Sequence, residues 1–304
     1  MTEKFDVLVV GAGISGIGAG YHLQKKCPGA SYVILEGRDK IGGTWDLFKY
    51  PGIRSDSDMY TLGFRFKPWK EQEAIADAPS ILNYLNETVE QFNIKEKIRF
   101  GKYVRNATWS SSSSSWTVDV EDKSTNEITQ LSCNFIFMCS GYYSYKEGYT
   151  PEFKGIEDFK GDVIHPQEWD ENYDYSGKKV VVVGSGATAV TLVPEMAKKA
   201  GHVTMLQRSP TYVVSAPEKD KMANNLRKYL PLKLSYLIIR WRNILRQQYY
   251  FRLCRKYPQG VKRAIIREVK KALGSDYDVE KHFTPDYNPW EQRMCLVPDG
   301  DLFE

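Results

Sequence analysis

Twice in this chain a run of apolar, largely β-branched residues stops at a Gly-x-Gly turn and gives way to a helical pattern. The first instance is FDVLVV (5–10), then Gly11-Ala-Gly13-Ile-Ser-Gly16, a helical stretch to Lys26, and SYVILE (31–36). The second is KKVVVV (178–183), then Gly184-Ser-Gly186-Ala-Thr-Ala189 and, past another helical stretch, HVTMLQR (202–208). Strand, turn, helix and strand in that order make a β-α-β unit. Unbroken apolar strands belong to a sheet covered on both faces, hence a parallel one. The expected fold class is therefore α/β with two Rossmann-like dinucleotide-binding domains.

In the first turn Gly11 permits the sharp bend, Gly13 lets backbone approach a pyrophosphate, and Gly16 lets helix and strand pack closely. The helix N-terminus offers unpaired N–H groups to that anion. Glu36 ends the second strand, where a carboxylate accepts hydrogen bonds from a ribose diol. Gly184 and Gly186 open the second turn, with alanine in the third position, a variation the pattern allows. Arg208 stands where the first unit has Glu36. An acid there repels a 2′-phosphate and a guanidinium pairs with it, so the first unit is assigned FAD and the second NADPH.

The 304 residues suffice for two domains, and 42% apolar with 26% charged residues is a globular balance. No run of about 18 apolar residues is present to span a bilayer, and no export signal precedes the first strand, so the expected location is cytoplasmic. Five cysteines without a C-x-x-C pair exclude a dithiol redox centre and give no metal site. The run of serines between Trp109 and Trp116 reads as a solvated hairpin tip, and FIFMCSG (135–141) as a further buried strand. The net charge of +4 conceals a division, because residues 219–271 carry sixteen Lys and Arg against Asp220 and Glu268 alone. This helical, aromatic-rich segment is compatible with a structural or cofactor-steering role or with peripheral membrane contact. Arg240, Arg242 and Arg246 do not form one clean face opposite one clean apolar face, and nucleic acid is not an expected partner.

GGTWDLFKYPGIRSDSD (42–58) crowds Arg54, Asp56 and Asp58 closely enough that they need partners or a task. FKGDVIHPQEWD (159–170) joins the two β-α-β units. Together with the two glycine turns, in this order and spacing, these stretches resemble the class B flavoprotein monooxygenases, specifically the Baeyer-Villiger monooxygenases. Phe159, Gly161, His165, Trp169 and Asp170 match that family's short fingerprint, and Gly43, Trp45, Tyr50, Pro51, Gly52 and Asp56 its longer signature. The resemblance implies FAD on Gly11, Gly13, Gly16 and Glu36 with Trp45 and Asp56 near the flavin, and NADPH on Gly184, Gly186, Thr188, Arg208 and Ser209. It carries the active-site arginine onto Arg293, with Asp56 as its acidic partner. Gln292 stands where many relatives have a lysine for the 2′-phosphate, which leaves strictness for NADPH open. Gly161, His165 and Trp169 are expected to form a hinge.

The implied reaction consumes NADPH and O₂ and inserts one oxygen into a ketone through a flavin C4a-peroxide, giving an ester or lactone. Sulfides and thioamides are further substrates of the same chemistry. An N- or S-oxygenating flavin monooxygenase shares both turns and remains an alternative. So does a non-catalytic or partner-requiring fragment, because the resembled family runs on for about another domain and the FAD domain is expected to be incomplete. The expected organisation is an FAD-binding part at 1–145, a linker with the fingerprint at 146–177, an NADPH-binding part at 178–220, a basic helical insertion at 221–275 and an active-site loop with a return segment at 276–304.

Overall fold

The computed structural model describes residues 2–304. In chain order the elements are β1 (Glu3–Val10), α1 (Ile14–Lys26), β2 (Tyr32–Leu35), α2 (Thr44–Leu47), α3 (Met59–Leu62), α4 (Ala78–Gln91), β3 (Ile98–Arg99), β4 (Lys102–Ser110), β5 (Ser115–Asp122) and β6 (Ile128–Met138). Then follow β7 (Lys179–Val183), α5 (Ala187–Ala197), β8 (His202–Leu206), β9 (Tyr212–Ala216), α6 (Lys221–Tyr229), α7 (Leu232–Lys256), α8 (Pro258–Leu273), α9 (Val279–Phe283) and β10 (Met294–Pro298). They divide into two compact units, residues 2–48 with 79–168, and residues 49–78 with 169–304.

The first unit is built on one six-stranded sheet in the order β3-β2-β1-β6-β5-β4. Its first four strands are parallel and β6, β5 and β4 run antiparallel. Leu8, Val33, Leu35, Val118, Val120, Leu131 and Cys133 form one of its cores. The serine run is the tip of the β4–β5 hairpin, with Trp109 opposite Trp116. The expectation of a buried strand at 135–141 needs correcting, because Phe135, Phe137 and Met138 are exposed and only Ile136 turns toward the core. The cause is register: β5 pairs with β6 only from Ile128 to Cys133, so beyond Cys133 the strand has β1 alone beside it.

The second unit has two parallel strand pairs, β7 with β8 and β9 with β10, and the helices α5 to α9. Val190, Val213, Cys295 and Val297 form one of its cores, and Ile266, Val269 and Val279 another. The long helix α7 buries Ser235, Tyr236, Ile239, Asn243 and Cys254 along one side. That side is pinned by polar contacts as well as packing. Tyr236 Oη donates to the Phe64 carbonyl (3.0 Å), and Arg240 Nη1 donates to the carbonyls of Tyr60 (2.7 Å) and Gly63 (2.8 Å) at the end of α3. Those carbonyls lie at a helix terminus, where no intrahelical donor is left for them.

Candidate functional site

In the first unit the chain turns out of β1 at Gly11, whose φ is +101°. A Cβ there would lie 2.6 Å from the Cys139 carbonyl oxygen, so the end of β6 is closed to any side chain at this position. A Cβ on Gly16 would strike the Gly11 carbonyl. Gly13 faces the backbone of Gly43, 3.6 Å from where its own Cβ would be. No side chain caps α1, so its first amides are left to another acceptor. The result is a cradle walled mainly by backbone, with the Tyr145 hydroxyl 3.4 Å from where a Cβ on Gly43 would lie, a shape and polarity that fit a pyrophosphate.

Glu36 is buried at the rim of this cradle. Its carboxylate accepts the Ala12 amide (2.7 Å) and the Arg38 amide (3.0 Å), which fixes its orientation and leaves further lone pairs free for a diol. The next neighbours are not foreshadowed by any motif. Arg38 pairs with buried Asp46 at 2.5 Å and also donates to the Gly43 carbonyl at 3.4 Å, so it braces the Gly42–Gly43 turn. Both are polar residues beside the motif with nothing in their spacing to link them. Trp45, on α2, is half-buried.

In the second unit Gly184 (φ +145°) and Gly186 lead from β7 into α5, again with no side-chain cap. The guanidinium of Arg293 lies over this turn, its Nη1 2.6 Å from the position a Cβ on Gly186 would take. Arg293 immediately precedes β10, and its carbonyl accepts from Tyr287 Oη (3.0 Å). Ser185 Oγ donates to the Ser209 carbonyl (3.1 Å), which ties the glycine turn to the end of β8. Arg208, Ser209 and Gln292 are exposed, and the Arg208 guanidinium makes no hydrogen bond or ion pair among the described residues. Thr188 lies beside the Tyr50 phenol, whose pKa is raised by burial although a hydrogen bond with the Thr188 side chain works the other way.

The crowded charges of the signature are separated here. Arg54 makes a two-point pair with Asp301 (2.6 and 3.2 Å). Asp58 caps α3 through the Thr61 amide (3.1 Å) and accepts from Asn243 Nδ2 (2.8 Å). Asp56 is exposed, and no ion pair joins it to Arg293. Both still act on Cys295, whose thiol is pushed up to about 11 by burial, with Arg293 lowering it and Asp56 raising it. The signature is thus split between the units, Trp45 in the first and Tyr50 to Asp58 in the second, where Gly52 abuts Glu195 of α5.

In the connecting stretch the ring of His165 lies against Gly148, and Nδ1 accepts the Gln167 amide (3.2 Å). The Gly161 backbone sits under the ring of Phe159. Trp169 meets Tyr173 and Tyr175 edge-on, each at 6.0 Å.

Two glycine cradles, an acid at the rim of one and an arginine at the strand end of the other, define a two-dinucleotide protein of the Rossmann type. A flavin-binding monooxygenase-like family model matches residues 65–246, and an NAD(P)-binding Rossmann-like domain model matches residues 9–76. The chain belongs to the flavin-binding monooxygenase-like family. It is 54% identical over 304 residues to the FAD-containing monooxygenase EthA of Mycobacterium tuberculosis, covering 100% of this chain and 62% of that protein. It is 51% identical over 305 residues to the probable FAD-binding monooxygenase AlmA of an Acinetobacter species, covering 100% of this chain and 61% of that protein. Among solved structures, an oxidised steroid monooxygenase bound to NADP matches with a TM-score of 0.81 at 23% identity, over 99% of this chain and 64% of that one. That likeness supports the α/β fold with two Rossmann-like parts. The chain spans about 62% of the length of the curated relatives it matches.

Proposed function

We propose that this chain provides the two nucleotide cradles of an FAD-dependent, NADPH-consuming monooxygenase that inserts one oxygen of O₂ into a ketone and also oxidises sulfides or thioamides. The observation that carries this reading is the pair of cradles with opposite rims, Glu36 in the first and the unpaired Arg208 in the second. When bound, NADPH supplies the hydride, and FAD supplies the two-electron store and the site of oxygen activation. The first cradle would hold the FAD pyrophosphate at Gly11, Gly13 and Gly16, with Glu36 orienting the ribose and Trp45 beside the ring system. Gly184, Gly186 and Thr188 would take the NADPH pyrophosphate, and Arg208 with Ser209 and Gln292 its 2′-phosphate.

Arg293 is assigned the stabilisation of negative charge that develops on oxygen during insertion, because a fixed guanidinium lowers such a barrier without reorganising at the moment of reaction. Asp56 is assigned the moderation of that charge.

The test has three readouts, two on the wild type and one on a variant. Flavin absorbance of the purified chain near one FAD per chain supports the first cradle, and a colourless protein refutes it. NADPH-dependent O₂ uptake stimulated by a ketone or a thioether supports the reaction class. Arg293→Ala should retain FAD and flavin reduction yet form no oxygenated product, and normal product from that variant would remove Arg293 from the chemistry.

A further inference from the structure

From Lys221 through Arg267 the chain contains no acidic residue at all. The structure sorts the cations of this stretch into two sets. Arg240 and Arg242 turn inward, the first to the α3 carbonyls and the second to Asp220, the residue that caps α6. Lys228, Lys233, Arg246, Arg252, Arg255 and Lys256 are exposed, and no carboxylate lies within ion-pair distance of them among the described residues.

Helix α7 has a second apolar side, opposite its buried one. Leu234, Ile238, Trp241, Leu245 and Tyr249 recur at intervals of four, three, four and four, which stacks them on one face. All five are exposed, Trp241 to 55% and Leu245 to 59%. The stripe runs about 22 Å along the helix at 1.5 Å per residue. The α6–α7 junction adds Tyr229, exposed to 84%, and the far end of α7 adds Phe251 and Tyr257.

We propose that this outer face of α7 is a docking surface for an anionic lipid bilayer, lying in the headgroup region with its apolar stripe turned toward the acyl chains. A stripe of Leu, Ile and Trp with tyrosines at its ends and lysines and arginines beside it matches both layers of such an interface. Among the described residues no helix is long and apolar enough to cross the membrane, so α7 would rest on the bilayer rather than span it. Phosphate groups alone, as on a nucleic acid, reward the six cations and leave the stripe in water. A purely apolar partner rewards the stripe and not the cations. An anionic bilayer takes both, and each cation near its surface adds attraction that salt screens. The docking face belongs to the second unit alone and is independent of the monooxygenase reading.

The experiment is flotation of the full chain with vesicles of phosphatidylcholine alone and of phosphatidylcholine with phosphatidylglycerol, at low and high salt, alongside Trp241→Glu and Leu245→Glu. Both positions are exposed, and circular dichroism reports that the fold is kept. The expected result is binding to the anionic vesicles that falls with salt and drops at least roughly tenfold in each variant, since an apolar contact is exchanged for a charge that the bilayer repels. No binding to either vesicle overturns the proposal. So does binding to anionic vesicles that both variants retain, which is charge attraction without the stripe. A self-associated wild type that either variant converts to monomer, without vesicle binding, assigns the stripe to a second copy and overturns it equally.

Discussion

Asp58 is the point at which the signature stretch is fastened to the helical segment, and removing it should be costly for two separable reasons. Its carboxylate caps α3 by accepting the Thr61 amide, and it accepts the side-chain amide of Asn243, which is 1% exposed on the inner side of α7. Loss of an N-cap costs about 1 kcal/mol. Leaving the Asn243 amide buried without an acceptor costs a further ~1–3 kcal/mol. Asp58→Ala should therefore destabilise by roughly 2–4 kcal/mol in urea unfolding followed by far-UV ellipticity. Asn243→Leu in the Asp58→Ala background removes the stranded donor, so the double variant should recover about 1 kcal/mol or more relative to the sum of the single variants. A cost below about 0.5 kcal/mol for Asp58→Ala, or simple additivity in the cycle, would refute the account of Asp58 as a buried fastening.

Arg208→Ala should weaken NADPH binding by roughly 10- to 100-fold, the value of charge-assisted bonds to a phosphate, and leave NADH unchanged; equal losses for both nucleotides would separate Arg208 from the 2′-phosphate. Burial alone would raise the Asp220 carboxyl, but the Arg242 guanidinium and the Ala223 amide outweigh it and hold its pKa below the ordinary 3.8. A depressed folded-state pKa means stability that is full above the unfolded value and lost as pH falls through the folded one. The stability difference between the wild type and Asp220→Asn should therefore be constant near neutrality and shrink as pH is lowered below about 4. A difference that is flat across that range would show that the Arg242 pair contributes nothing.

The glycine turns were legible in the sequence because they are local: what Gly11 and Gly16 do is decided by backbone within a few residues and by the next strand. The crowding of Arg54, Asp56 and Asp58 was also legible as a demand for partners, but the partners were not. Asp301 lies 247 residues from Arg54 and Asn243 lies 185 from Asp58, and no spacing rule reaches that far. Helix α7 defeated the periodicity argument for a different reason. A helix apolar on two opposite sides has no single polar face, so Arg240 and Arg242 looked unsorted until their inward acceptors were seen. Likewise the apolar run at 135–138 resembles a buried strand in sequence, while its exposure depends on where β5 stops. The place of Arg293 over Gly186 depends on how β10 is fed beside β9, which composition does not encode.

The chain passes from one unit to the other after Phe48, after Ala78 and after Glu168, and the first and last of these passages fall inside the two stretches that mark the family. In FKGDVIHPQEWD the residues on either side of the passage are each fastened to their own unit. His165 rests on Gly148 and Gln167 donates to the Ser144 carbonyl (2.6 Å), while Trp169 is held edge-on by Tyr173 and Tyr175. Between these fastenings lies a single turn, Pro166–Glu168, closed by the Glu168 amide on the His165 carbonyl (2.9 Å), so a hinge placed here would confine bending to a few backbone torsions. The hinge role that we propose for this stretch predicts more than a loss of activity. His165→Ala removes the ring from its seat, and Gly148→Ala displaces it, since a methyl on Gly148 would occupy the ring's place. Both should open the 160–168 connection to limited proteolysis severalfold faster while leaving bound FAD in place. Both should also slow flavin reduction and divert O₂ to hydrogen peroxide. Faster proteolysis with reduction and coupling unchanged would make His165 a packing residue of the connection, and unaltered proteolysis in both variants would remove the fastening on which the hinge depends.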